Sequence, residues 1–219
     1  MLKLYKDYFY RKFRCKNDSN YFDFNLFNKI WINDKLLKRS PLDAGLPWMT
    51  YNAIFFLNHI CKRKLNILET GCGGSTIFFL NNCTSLFSIE HDESWLNSLN
   101  KKKRIIELSS KWKNKRCNLF NSNTISHEFS PYLNEIKRQQ DNTYNLVSID
   151  GRLRSDSLII ASSKVMLGGY ILLDNSDRGD YADGMEYLNK LGWRRTNFYG
   201  LCYDYNWDSY TSVWQKLKR

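Results

Sequence analysis

Residues 65–90 constrain the fold more than any other part of the chain. An apolar run from Leu65 to Thr70 leads at once into Gly71-Cys72-Gly73-Gly74-Ser75, then into an apolar stretch through Leu80, and then into a second apolar run, Leu86 to Glu90. This pattern predicts a buried strand, a tight turn, a helix and a second strand. Glycines let the backbone turn sharply and approach a ligand closely, and the helix start offers unpaired N–H groups. The second strand ends on Glu90, where a carboxylate can accept from both hydroxyls of a ribose.

The alternation continues along the chain. Residues 93–103 and 127–140 read as helices, and 117–120 (CNLF) as a weak third strand between them. Residues 144–150 form a fourth strand, 155–166 a helix and 168–174 a fifth strand; 193–201 and 210–216 alternate apolar with polar and predict an antiparallel pair. Such alternation implies an α/β fold with a mostly parallel sheet and right-handed crossovers, with ligands at the carboxyl ends of the strands. Residues 1–64 are rich in aromatics and lysines and read as an N-terminal helical cap on the core of 65–219. No linker-like stretch divides the two.

Composition excludes several classes. With 42% hydrophobic and 16% aromatic residues the chain can bury a full core, which excludes intrinsic disorder. Six scattered cysteines without a C-x-x-C pair argue against a disulfide scaffold or structural zinc and for free thiols in a reducing compartment. No apolar run reaches the length of a membrane span, and the charged start MLKLYKDYFYRKFR lacks a signal-peptide core, so a cytoplasmic location is expected. The net charge of +11 is concentrated: residues 1–64 hold 13 Lys/Arg against 5 Asp/Glu, and residues 101–116 hold 8 against 1. Two such patches suit nucleic acid, an anionic membrane surface or an acidic glycan, or simply keep an aromatic-rich surface solvated. No RNA-recognition, helix-turn-helix or zinc-finger motif accompanies them. Leu2, Tyr5, Phe9 and Phe13 recur at helical spacing among basic residues, a stripe that packs on its own domain or lies on a membrane as a peripheral contact.

Two cofactors use a glycine turn followed by an acidic strand end. A dinucleotide fingerprint requires a third glycine where this chain has Thr76, and Glu69 ahead of the turn would repel a pyrophosphate. A carboxylate beside the cationic amino acid end of S-adenosylmethionine (SAM) is electrostatically sensible. The pattern Glu69-Thr70-Gly71-Cys72-Gly73 with Glu90 resembles motif I of the class I SAM-dependent methyltransferases. The resemblance implies a Rossmann-like, mostly parallel seven-stranded sheet with an antiparallel last strand. It also implies SAM held by Glu69, Gly71, Cys72, Gly73, Ser75, Glu90 and Asp150, with Ser122 or Asn121 at the adenine.

At the reaction end, the fourth strand closes on Asp150-Gly151-Arg152 and the fifth on Asp174-Asn175-Ser176-Asp177-Arg178. The N-P-P-Y and Pro-Cys signatures of base methylation are absent from this point. The pattern resembles the cation-dependent group typified by catechol O-methyltransferase. That implies Mg²⁺ on Asp150, Asp174 and Asn175, three hard oxygen ligands, lowering an acceptor hydroxyl's pKa. The Asp174-to-Arg178 ending also looks like that of methyltransferases acting on uronate polysaccharides, with Arg178 gripping a carboxylate. The catechol type's lysine base falls on Leu153, and Arg152 and Arg154 stay protonated. Asp150 or Asp177 is then expected to take the proton, with His91 and His127 as further candidates. Thr50 is expected near the methionine end, and Tyr181, Tyr199 and Trp207 near the acceptor.

The expected function is methyl transfer from SAM to a hydroxyl of a small molecule or carbohydrate. The alternatives are an RNA methyltransferase that uses the basic patches and a non-catalytic binding module on the same fold.

Overall fold

The structure, a computed structural model, describes residues 24–37, 39–120, 130–203 and 208–217, with side chains from residue 29 onward. Three helices lead in: α1 (Phe24–Leu37), α2 (Pro41–Ala44) and α3 (Tyr51–Cys61). The core follows as β1 (Leu65–Thr70), α4 (Gly74–Asn82), β2 (Cys83–Glu90), α5 (Glu93–Asn100), α6 (Lys103–Glu107) and β3 (Trp112–Arg116). Then come α7 (Pro131–Arg138), β4 (Tyr144–Ile149), α8 (Arg154–Ala161), β5 (Val165–Asp174), α9 (Ala182–Lys190), β6 (Arg194–Leu201) and β7 (Asp208–Gln215). The strands form one seven-stranded sheet in the order β3-β2-β1-β4-β5-β7-β6. Strands β1 to β5 pair in parallel, while β7 runs antiparallel to both β5 and β6, so the expected antiparallel last strand is present.

The side-chain alternation of each strand divides the interior in two. Ile67, Leu146 and Leu172 point to one face and Leu68, Val147, Ile171 and Leu173 to the other, because successive strand residues face opposite ways. Trp31, Leu57, Phe79 and Leu99 from α1, α3, α4 and α5 close the first face. Tyr132, Ile136, Leu158 and Leu188 from α7, α8 and α9 close the second. Phe56 of α3 lies over Tyr170 of β5 and Phe198 of β6, with ring centroids at 5.5 and 5.3 Å. The Tyr51 hydroxyl donates to Asp34 at 2.6 Å and fastens α3 to α1.

Two elements differ from expectation. The third strand is Trp112–Arg116 rather than residues 117–120. Only Trp112 of WKNKR is buried, so the strand carries no apolar run, and it is set by pairing with β2 from Leu86↔Trp112 to Glu90↔Arg116. Exposed lysines on an edge strand discourage pairing with another chain, which explains part of the basic run at 101–116. Helix α9 was not foreseen, because its polar sequence ADGMEYLNK buries only Gly184 and Leu188.

The described cysteines, Cys61, Cys72, Cys83, Cys117 and Cys202, are all buried free thiols. Among the described residues no helix is long and apolar enough to cross a membrane. The stripe at residues 2–13 lies outside the described residues.

The turns after the neighbouring strands β1 and β4 meet closely. Gly71 has φ +86°, and a Cβ there would stand 2.7 Å from the Gly151 nitrogen. A Cβ on Gly151 would stand 2.1 Å from the Tyr132 hydroxyl and 2.9 Å from the Gly71 nitrogen. Gly151→Ala is therefore expected to lower stability in urea denaturation by about 1–3 kcal/mol through overpacking. Adding Tyr132→Phe should recover part of that loss, because it removes the nearest obstructing atom.

Candidate functional site

Strand order reverses between β1 and β4, so the loops that follow them leave in opposite directions and open a crevice at their carboxyl ends. A cavity of about 700 Å³ occupies it. The glycine turn, Glu90, Asp150, Arg154, Asp174 and Arg178 line it, and Pro41 and Trp48 from the lead-in segment form its far wall. The volume is that of a small-molecule site. Lys102 reaches across the rim to Asp43 at 2.8 Å.

The turn is held from beneath by Glu69. Its carboxylate is fully buried and accepts from the hydroxyls of Ser75 (2.5 Å), Thr76 (2.8 Å) and Ser88 (2.8 Å), tying β1, α4 and β2 together. Burial pushes its pKa up to about 7, against the opposing pull of those hydroxyls. At Gly74 a Cβ would stand 2.2 Å from the Leu46 carbonyl and 2.4 Å from that of Pro41, so the start of α4 packs directly on the lead-in segment. Gly73 is different: its backbone is extended, and a Cβ there would meet nothing within 4 Å. It therefore leaves room at the cavity wall.

Glu90 sits at the end of β2 and is almost fully buried. It accepts three backbone N–H bonds, from Cys72 (2.8 Å), His91 (2.7 Å) and Asp92 (2.9 Å). These fix the carboxylate on the cavity wall beside the glycine turn. The Trp95 indole donates to the Cys72 carbonyl at 2.7 Å and stands half-exposed along the same wall. Burial holds the Cys72 thiol well above its usual range, so it contributes its backbone here and not a thiolate.

The other end is organised by Arg154, the first residue of α8, which follows Leu153 in the left-handed region at φ +50°. Its Nε donates to the Gly151 carbonyl (2.9 Å) and its Nη1 to the Asp174 carbonyl (2.7 Å) and to Asn175 Oδ1 (3.3 Å). Its Nη2 donates to the Asp150 carbonyl (2.7 Å) and lies 2.8 Å from Asp150 Oδ1. The guanidinium also stands over the Tyr181 ring, 5.4 Å from its centroid. Asp174 is buried, and its Oδ1 accepts from Thr211 at 2.7 Å. Burial raises the pKa of both acids, further for Asp174 because Asp150 is nearby, while Arg154 opposes the shift at each.

No family profile and no curated protein matches the chain in sequence. Solved structures do match it in shape. The O-methyltransferase TomG of Streptomyces achromogenes, solved with SAM, superposes with a TM-score of 0.60 at 14% identity, covering 90% of this chain and 100% of that one. An O-methyltransferase of Bacillus cereus gives 0.58 at 12% identity, covering 93% and 95%. The tRNA (m1A58) methyltransferase TrmI of Aquifex aeolicus gives 0.53 at 12% identity, covering 83% and 77%. The chain has the class I methyltransferase fold.

Within this fold the expected cofactor residues Gly71, Cys72, Gly73, Ser75, Glu90 and Asp150 all line the cavity, whereas Glu69 lies beneath the turn and supports it. Ser122, Asn121 and His127 lie outside the described residues, as does Trp207. Of the reaction-end residues, Asp150 and Arg178 line the cavity, whereas Asp177 is exposed and does not. The expected metal set, Asp150, Asp174 and Asn175, does converge there. However, Asp150 Oδ1 and Asn175 Oδ1 already face one guanidinium, and Asp174 Oδ1 holds a threonine hydroxyl. With these three oxygens engaged, the set offers a hard divalent ion fewer open ligands. Among the described residues no three His, Cys, Asp or Glu side chains gather as a metal set.

Thr50 departs from its expected place. It is fully buried, caps α3 through Ala53 N and donates to Thr211 Oγ1 at 3.3 Å. Its neighbour Trp48 faces the cavity instead. Tyr199 packs against Tyr210, with ring centroids 4.7 Å apart and the rings tilted by 37°, and does not line the cavity. Sequence reading missed Trp95, the rim pair Lys102–Asp43 and the role of Arg154. A signal existed for the rim: Ser40-Pro41-Leu42-Asp43 is a helix-start pattern, and Ser40 caps α2 by accepting from Asp43 N.

Glu69 yields a pH prediction. Its folded pKa of about 7 exceeds the ordinary 4.5, so the neutral form stabilises the fold fully below about pH 4.5, and this contribution is lost as pH rises through about 7. Relative to Glu69→Gln, the native chain should lose up to about 3 kcal/mol between about pH 5 and about pH 8. Urea titrations of both proteins across that range would measure it; a constant difference would show that Glu69 does not titrate there.

Proposed function

We propose that this chain is a SAM-dependent methyltransferase that methylates a hydroxyl of a small molecule or carbohydrate. One observation carries the reading. A buried carboxylate at the end of β2, fixed by three backbone N–H groups, shares a cavity with a glycine turn that leaves open space at Gly73. Such a carboxylate suits the two ribose hydroxyls, and Trp95 offers an aromatic surface beside it. The turn backbone, with Ser75 at the cavity wall, suits the methionine end. Bound SAM supplies an electrophilic methyl group on a sulfonium.

The remaining chemistry falls to the chain. Asp150, held by Arg154 and lining the cavity, takes the acceptor's proton in this reading as the acceptor oxygen is methylated. Arg152 and Arg178 line the same end and favour an acceptor that bears a carboxylate, whose two oxygens match a guanidinium fork. The TomG and Bacillus cereus neighbours are both named O-methyltransferases, which supports a hydroxyl acceptor, and TomG was solved with SAM.

Isothermal titration with SAM, S-adenosylhomocysteine and NAD tests the cofactor. Both adenosyl compounds should bind and NAD should not; binding of NAD alone would overturn the reading. Glu90→Ala should weaken SAM binding at least tenfold, about 1.4 kcal/mol or more. Gly73→Ala should also weaken SAM binding, yet leave the ligand-free melting temperature unchanged, because its Cβ meets no protein atom. Unaltered SAM affinity in both variants would place the cofactor elsewhere. A panel of hydroxy acids and their neutral analogues would then test the acceptor class, with Arg178→Ala expected to raise KM for the acids only.

A further inference from the structure

The reaction end of the cavity is built around a positive charge that belongs to the protein. Arg154 brings its guanidinium among Asp150, Asp174 and Asn175, the three residues whose oxygens would otherwise form a cation site. It meets five oxygens there: the carbonyls of Asp150, Gly151 and Asp174, Asn175 Oδ1 and Asp150 Oδ1. A guanidinium has five N–H donors in a fixed plane, which suits such a fork of acceptors. The side chain is only 11% exposed, and its planar head is wedged between the ends of β4 and β5 and the Tyr181 ring.

Three features show that this is a fitted position. A basic residue at the first position of a helix opposes the helix dipole, and the strand-end carbonyls and Asp150 offset that cost. Leu153 takes a left-handed conformation that a β-carbon disfavours, and the helix begins only after it, at Arg154. Asp174, the most buried member of the set, is satisfied separately by Thr211, which in turn accepts from Thr50 in the lead-in segment. The Asp150 carboxylate thus meets a guanidinium and the Asp174 carboxylate a hydroxyl, so each already holds a donor supplied by the protein.

We infer that Arg154 stands in the place of a divalent cation, so that the site is complete without a metal and Arg154 positions Asp150. A dication among these oxygens would lie against a fixed like charge and would have to compete with donors already in place. The inference rests on the arrangement of Arg154 and not on the cofactor reading, so cation binding can be tested without SAM or an acceptor.

Mn²⁺ serves as the probe, followed by its electron paramagnetic resonance signal on the full-length chain. The native protein should take up no stoichiometric Mn²⁺. Arg154→Ala, which frees the Asp150 and Asn175 oxygens, should take up one equivalent, and adding Asp174→Asn should abolish that uptake. If Arg154→Ala does not fold by circular dichroism, Arg154→Gln replaces it and is expected to behave in the same way. One equivalent of Mn²⁺ on the native protein, lost in Asp174→Asn, would overturn the inference. So would a folded Arg154 variant that still takes up none. Failure of SAM to bind the native chain, with these Mn²⁺ results as expected, would count against the cofactor reading alone.

Discussion

The near-contact of two backbone turns governs this structure. Strands β1 and β4 are neighbours, yet the chain leaves them in opposite directions, and Gly71 and Gly151 are what let the two turns pass. Everything functional radiates from that point. The first turn runs on to Gly73 and α4, the second to Arg154 and α8, and the crevice between them is the cavity. Side chains at either glycine would force the turns apart, and the helix starts that line the site would move with them.

The site keeps its buried acids in three ways. Glu69 is clothed by three hydroxyls, and its pKa is raised because burial disfavours its charge more than the hydroxyls favour it. Glu90 is wrapped by backbone N–H groups from two loops and so becomes a fixed part of the wall. Asp150 faces the Arg154 guanidinium, and the Asp174 carboxylate accepts from the Thr211 hydroxyl. Glu90 and Asp150 line the cavity, whereas Glu69 lies beneath the turn and supports it.

The sheet was largely readable from the chain. The starts and ends of β1 and β4 follow the apolar runs because those strands are buried on both faces, and an apolar run is what such a position requires. Where burial is one-sided or slight, the local pattern carries no such signal. Strand β3 buries only Trp112 and was displaced onto the more apolar CNLF, and α9 buries two residues and went unread. The cavity lining followed the sheet, since Gly71, Gly73, Glu90 and Asp150 all sit at strand ends. Thr50 was misplaced because a threonine ahead of a helix has an equally good local use as its cap.

Sequence by itself determined the alternation of strand and helix, the glycine turn, the acid at the end of β2 and the paired acids at the ends of β4 and β5. Local pattern decides these, because each depends on the periodicity of one segment and on the residue that closes it. Tertiary structure alone decided what those acids face. Asp150 follows β4, Arg154 opens α8, Asp174 ends β5 and Thr211 lies on β7, and they meet only when β4, β5 and β7 are laid side by side. A spacing of four residues from Asp150 to Arg154 reads as an incidental pair. The fold turns it into a guanidinium set among the oxygens that the family resemblance implied for a metal.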